Sequence, residues 1–283
     1  PSRLRNMHCF PNSSSSISCS WSFPDSQWDS YTVEVRQQDS WELVYALRLA
    51  RDSTLLNLEN LQPHRRYSVA VRVASAGLSS PAVEENVVTM IDRPPPTTIR
   101  VNERAVRITP STIFFKFNCS WFNDVNGAVR FFTVIVAESN DNEVLQPEQL
   151  HPLPSFQDYR TNSSVRAYQT GYFPSGCAQE QGMGAGRVFE VNLGAGLDRL
   201  GGPCDSEEDH DNDHNSDLYH FCDGPLKPKT AYRISVRAFT QLFDEDHREF
   251  PQPLYTDTFL SLPIRTQAGE ATLYTPLPLT LTI

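Results

Sequence analysis

Two stretches of the chain follow one plan, and that plan leaves few folds open. Glu59-Asn-Leu-Gln-Pro-His-Arg-Arg-Tyr-Ser-Val-Ala-Val-Arg-Val73 carries Leu61, Pro63 and Tyr67, and Gly224-Pro-Leu-Lys-Pro-Lys-Thr-Ala-Tyr-Arg-Ile-Ser-Val-Arg-Ala-Phe239 carries Leu226, Pro228 and Tyr232 at the same offsets. In both, apolar and polar residues alternate after the tyrosine, the period of a β-strand. The proline fixes φ and cannot donate to a ladder, so each strand begins after it. A tyrosine at this place in a β-sandwich packs its ring inward and turns its hydroxyl back to the backbone before the strand, the tyrosine corner. Two corners predict two sandwiches.

The rest of the chain agrees with that count. A length of 283 residues is enough for about two domains. From Pro1 to about Ile91, Ile17 to Trp21, Tyr31 to Val35, Leu43 to Leu49 and Val87 to Thr89 read as short alternating strands around Tyr67. Trp21 shares the inward phase with Ile17 and Cys19. One buried Trp under one corner Tyr, on about seven short strands, fits a fibronectin type III sandwich. An immunoglobulin domain would need a cysteine two residues after Tyr67, where Val69 stands. Asp92-Arg-Pro-Pro-Pro-Thr97 reads as a stiff polyproline linker.

A second fibronectin type III domain is expected over 98–268. Phe117-Asn-Cys-Ser-Trp121 matches Ile17-Ser-Cys-Ser-Trp21 at an offset of 100 residues, making Trp121 the expected partner of Trp21 in the core. The offset between Tyr67 and Tyr232 is instead 165, so about 65 extra residues enter before the second corner. They span about 149–216, include strand-like Ser164 to Thr170 and Arg187 to Leu193, and are expected to form a small folded subdomain. Tyr255 to Leu262, ending at Ile264 to Thr266, reads as the last strand, and 269–283 as a stalk or tail without fold. The expected class is therefore all-β: two tandem fibronectin type III sandwiches, the second with a large disulfide-tied insertion.

Six cysteines and three sequons, at Asn12, Asn118 and Asn162, point to an oxidising, glycosylating compartment. Cys9 and Cys19 fall on successive strands in one phase and are expected to pair. Cys119, Cys177, Cys204 and Cys222 allow three pairings. The preferred one closes the acidic loop with Cys204 to Cys222 and ties the insertion to the sandwich with Cys119 to Cys177.

Composition narrows the partners. A net charge of -10 disfavours nucleic acid and anionic membrane surfaces, and no apolar run approaches the ~20 residues of a membrane span. The piece is expected to be soluble, a portion of a larger extracellular protein. Chemistry is hard to find. His8-Cys9 begins like a phosphatase nucleophile, but position 15 is serine where the phosphate-binding arginine would stand. Asp209, Asp211 and Asp213 open like a calcium loop but lack its glycine, and His220 takes the place of its glutamate. His210 and His214 have metalloprotease spacing without the glutamate. A solvated acidic loop between Cys204 and Cys222 is the preferred reading of that stretch, and a hairpin turn that of Asp244-Glu-Asp-His247. No catalytic, metal or cofactor residue is assigned.

Phe117-Asn-Cys-Ser-Trp121, His151-Pro-Leu-Pro154, Tyr168-Gln-Thr170, Leu200-Gly-Gly202, Phe221-Cys-Asp-Gly-Pro-Leu-Lys-Pro228 and Thr230 to Asp246 together resemble the membrane-proximal extracellular repeats of receptor-type tyrosine phosphatases of the R3 type. The resemblance covers the second domain and implies a single-pass plasma-membrane receptor of endothelial junctions, with protein partners such as endothelial cadherin or the angiopoietin-receptor kinase. None of that family's catalytic residues has a counterpart here. The competing reading is a class I cytokine-receptor module, for which Cys9, Cys19 and Trp21 supply the opening motif but no Trp-Ser-x-Trp-Ser stretch follows.

Overall fold

The computed structural model describes residues 1–177, 186–204 and 221–270. The acidic stretch 205–217, part of the insertion and the tail from 271 lie outside the described residues. The chain divides into two compact units, one of Pro1–Pro95 with Phe122–Phe131 and Ala238–Thr256, the other of Pro96–Trp121, Phe132–Arg237 and Asp257–Ile283.

In the first unit β1 (Arg5–Pro11), β2 (Ile17–Ser22) and β5 (Leu55–Leu58) form a three-stranded sheet in the order β1-β2-β5. The facing sheet runs β4-β3-β6-β7, from β3 (Ser30–Gln37), β4 (Leu43–Ala50), β6 (Arg66–Ser75) and β7 (Leu78–Ser79), with β8 (Val83–Val88) also on β6. All pairings given are antiparallel. Alternate residues of β2, β3 and β6 point inward, so Ile17, Trp21, Tyr31, Val33, Val35, Val69, Val71 and Val73 make one core. Trp21 meets Tyr31 edge-on at 5.4 Å, and its indole N–H donates to the Ser53 carbonyl at 3.0 Å. The Tyr67 ring is buried and its hydroxyl accepts the Gln62 N–H at 2.8 Å.

The second set of strands repeats that order: β9 (Arg107–Ile108), β10 (Ile113–Asn118) and β14 (Val188–Leu193) pair as β14-β10-β9, and β12 (Ala167–Gln169), β11 (Phe131–Glu138), β15 (Ala231–Phe243) and β16 (Glu249–Asp257) as β12-β11-β15-β16. β13 (Phe173–Pro174) joins β11, and β17 (Ile264–Arg265) joins β15. The last strand is therefore β17, and β16 starts six residues before the expected Tyr255. Among the described residues the one α-helix is α1 (Phe156–Thr161), opened by a reciprocal capping box between Ser155 and Asp158.

Two expectations change here. The extra residues do not fold apart from the sandwich, because β14 pairs along all of β10, from Ile113 opposite Leu193 to Asn118 opposite Val188, and β12 extends the other sheet beside β11. Strand β14 thus stands to β10 as β5 stands to β2, where Ile17 faces Leu58. That register makes Ile113 the counterpart of Ile17 and moves the comparison four residues from the textual match. Cys119 to Trp121 consequently leave the strand as a 3-10 turn, and Trp121 is only half-buried. Phe117 fills the centre instead, stacked on Phe189 at 4.8 Å and edge-on to Phe132 at 5.0 Å. In β15, moreover, two polar residues of the alternation are buried: Arg233 and Arg237 are 1 % and 0 % exposed.

Candidate functional site

The buried arginines and the stretch 221–232 together explain how the extra residues are fastened. Arg233 and Arg237 lie four apart on β15, on one face of the strand. Arg237 donates Nε and Nη2 to the two Asp257 carboxylate oxygens at 2.7 and 2.9 Å, and donates also from Nη1 to the carbonyl of Leu150 at 2.8 Å and from Nη2 to that of Glu148 at 3.1 Å. Gln149 adds a hydrogen bond to Asp257 Oδ2 at 2.8 Å. Arg233 donates to the carbonyls of Ser261 at 2.7 Å and Glu143 at 2.6 Å. A planar guanidinium with five donors suits this use, since it gathers several carbonyls from an irregular segment that has no ladder of its own. The segment 143–150 is thereby held over the face that the alternation assigns to solvent, and burial lowers the tendency of Arg233 to hold its proton.

The segment before the corner works residue by residue. Phe221 packs edge-on against Tyr172 at 5.7 Å. Cys222 is bonded to Cys204. Asp223, 1 % exposed, accepts the N–H groups of Gly194, Gly196 and Leu197 at 2.7, 2.9 and 2.9 Å, and so fixes the turn that leaves β14. Burial pushes its carboxyl up, and the three amides offset part of that rise. Gly224 has no alternative, because a Cβ there would overlap the Phe156 ring of α1. Leu226 is buried and its N–H reaches the Ser111 carbonyl at 2.9 Å. The Lys227 N–H donates to the Tyr232 hydroxyl at 2.9 Å, the same five-residue reach as from Gln62 to Tyr67.

Around that second hydroxyl lies a polar cluster that the first corner does not have. Tyr232 OH lies 3.1 Å from Tyr159 OH of α1, and Tyr159 OH donates to Glu138 at the end of β11. Glu138 also meets Lys227 at 3.3 Å and Arg166 at 3.6 Å. Burial pushes the Glu138 carboxyl up, and the bonds from Tyr159 and Lys227 with the Arg166 charge more than reverse that, leaving it below its ordinary value. The Tyr159 hydroxyl is driven strongly upward by burial and by its bond to Glu138, so it remains a donor.

The structure pairs Cys9 with Cys19, which face each other across β1 and β2, Cys119 with Cys177, and Cys204 with Cys222. Asn12 and Asn162 are exposed, while Asn118 is half-buried and its carboxamide oxygen accepts the Ser120 N–H at 2.9 Å. Asp244 closes the β15–β16 turn by accepting the N–H groups of Asp246 and Arg248, each at 2.9 Å, which is a structural use. No nucleophile is set beside a base in any of this; the arrangement holds backbone in place. Sequence reasoning missed Arg233, Arg237, Asp223, Glu138 and Tyr159, although an arginine at every fourth place of a strand with apolar neighbours was the available signal for the first two.

The family comparison decides what this scaffold is. A fibronectin type III model matches residues 2–86, and the model described as the transmembrane-proximal region of protein tyrosine phosphatase, receptor type J, matches residues 117–265, more than half of the chain. The chain belongs to the receptor-type protein tyrosine phosphatases. The matched regions are ectodomain modules of such a receptor, not its phosphatase domain, and they take the place of the cytokine-receptor alternative. The match on the receptor phosphatase model spans the arginine clamp, the Cys119–Cys177 and Cys204–Cys222 disulfides and the Tyr232 corner. Among solved structures, a two-domain fibronectin type III segment of chicken tenascin is similar over 91% of this chain and 98% of its own, at 9% identity and a TM-score of 0.34. The fibronectin type III domain of the human collagen alpha-1(XX) chain is similar over 31% of this chain and 84% of its own, at 19% identity and a TM-score of 0.30. Likenesses this weak carry no conclusion. No helix among the described residues is long and apolar enough to cross a membrane.

Proposed function

We propose that the chain is a non-catalytic adhesion and spacing module from the extracellular, membrane-proximal part of a single-pass receptor tyrosine phosphatase, where it holds protein partners at the cell surface. The observation that carries this reading is the family match over 117–265. That all six cysteines are paired supports an oxidising compartment. Phosphatase activity is assigned to the parent receptor. Within the family, the wording of Phe221 to Pro228 and Thr230 to Asp246 supports the vascular endothelial member, receptor phosphatase beta. The partners would then be endothelial cadherin or the angiopoietin-receptor kinase, the role regulation of endothelial junctions and vascular signalling, and the candidate glycan positions Asn12, Asn162 and, hindered by its neighbouring cysteine, Asn118.

The fold bears on how this is tested. Deleting 149–216 would remove β12 and β14 and so report on folding rather than on capture. The informative measurement is direct binding of the intact, secreted chain to the ectodomains of endothelial cadherin and of the kinase, by interferometry. Saturable binding to one of them is expected. A folded, fully oxidised chain that binds neither would overturn the partner assignment.

A further inference from the structure

One surface of this acidic protein is basic. Where β11 ends and β12, β15 and β17 meet it, an open polar depression is lined by Glu138, Ser139, Asn140, Arg166, Lys229, Thr230, Ala231 and Arg265. The backbone places its corners. The Glu138 N–H donates to the Arg166 carbonyl at 2.8 Å, the Ser139 N–H donates to the Ala231 carbonyl at 3.1 Å, and Ala231 sits opposite Arg265. The row from Arg166 through 138–139 and Ala231 to Arg265 therefore crosses three strand gaps, about 14 Å at the usual spacing. Arg166, Lys227, Lys229 and Arg265 are all exposed.

Charge along this row is not balanced. Glu138 is already engaged by Lys227 and Arg166. Lys229 and Arg265 have no ion-pair partner among the described residues. Three cations, Arg166, Lys229 and Arg265, thus line the depression with one carboxylate, Glu138, on a chain whose net charge is -10. Clusters of one sign cost self-repulsion, which an arriving counter-charge relieves.

We propose that this depression binds a sulfated polysaccharide. Sulfate oxygens accept from guanidinium and ammonium donors, and the Ser139, Asn140 and Thr230 side chains between the cations can exchange hydrogen bonds with sugar hydroxyls. A span of about 14 Å suits a chain with several anionic groups better than one isolated anion. The lining has no exposed apolar side chain. Docking into a membrane interface gains from buried apolar area, and a protein interface is built on an apolar centre, so the depression suits neither as well. The inference rests on the ectodomain reading, since sulfated polysaccharides lie outside the cell, but not on either protein partner.

The test is binding of the secreted chain to immobilised heparin across a salt series, beside vesicles containing phosphatidylserine. Salt-sensitive binding to heparin is expected. The triple variant Arg166→Gln, Lys229→Gln, Arg265→Gln should bind about a hundredfold more weakly, from three lost cation contacts. Arg166→Lys with Arg265→Lys, which keeps the charges, should bind nearly as well as the parent, and Lys116→Gln, remote on β10, should change nothing. Absence of heparin binding by the parent chain, a triple variant that binds undiminished, or binding to the vesicles but not to heparin each overturns the proposal. Because no protein partner enters the measurement, failure here leaves cadherin or kinase capture standing, and the reverse also holds.

Discussion

Asp257 engages Arg237 through both carboxylate oxygens, at 2.7 and 2.9 Å, with both side chains shut off from solvent. A buried pair of this kind stabilises little against an apolar isostere, but removing one partner strands the other charge. Arg237→Ala is expected to cost about 3–5 kcal/mol. Combining Arg237→Met with Asp257→Leu should recover the part of that loss due to the stranded carboxylate, while the Leu150 and Glu148 carbonyls stay without their donor. Urea denaturation of both variants measures it, and a single variant within about 1 kcal/mol of the parent would contradict the account.

Phe117 and Trp121 give a contrast in packing. Phe117 is 1 % exposed among Phe132, Phe173 and Phe189, whereas Trp121 follows the strand and is half-buried. Phe117→Ala should cost about 3–5 kcal/mol. Trp121→Ala should cost clearly less, and the reverse order in melting temperature would restore Trp121 to the centre.

Acid should act through Glu138. Its folded carboxyl lies below the ordinary value of 4.5, so the stability it contributes is whole above that value and is lost as pH falls through the folded one. The gap in denaturation midpoint between the parent and Glu138→Gln is therefore expected to be widest near neutrality and to close in acid. A gap that does not change with pH would assign the effect to shape alone.

Glycan occupancy should be uneven. Asn12 and Asn162 are exposed, while Asn118 is half-buried, bonded to Ser120 and adjacent to the disulfide at Cys119. Peptide mass spectrometry of the secreted chain is expected to find sugar at Asn12 and Asn162 and little at Asn118. Full occupancy at Asn118 would mean modification precedes closure of that bond.

What could be read in advance was local. Tyr67 and Tyr232 announce themselves because a corner needs a leucine, a proline and a tyrosine within seven residues, and each then makes the same bond to the backbone five residues before it. Cys9 and Cys19 are legible for the same reason, since one hairpin sets them face to face. What was missed depended on distance along the chain. Arg233 and Arg237 look like a wetted face until Glu143, Glu148 and Leu150, about ninety residues earlier, are laid over them. Trp121 misled because three letters, Cys-Ser-Trp, repeat while the strand register runs four residues out of step with them, and only the pairing of β10 with β14 discloses it. Asp223 had no local signal at all, its partners being amides of a turn that exists only once β14 has joined β10.

The two disulfides of the second module also decide how far it can be stretched. A receptor ectodomain beside a membrane is pulled whenever its partner is held by another cell, and an unfolding module normally pays out its whole contour. Here Cys119–Cys177 encloses a separation of 58 residues and Cys204–Cys222 one of 18. At about 3.4 Å per extended residue, roughly 200 Å and 60 Å of chain stay locked inside the crosslinks. Under tension the module yields as a short tether, and reduction should lengthen its unfolding step in single-molecule pulling by about 260 Å less the width of the two crosslinks. An unfolding step of the same length before and after reduction would show that the crosslinks lie outside the line of force.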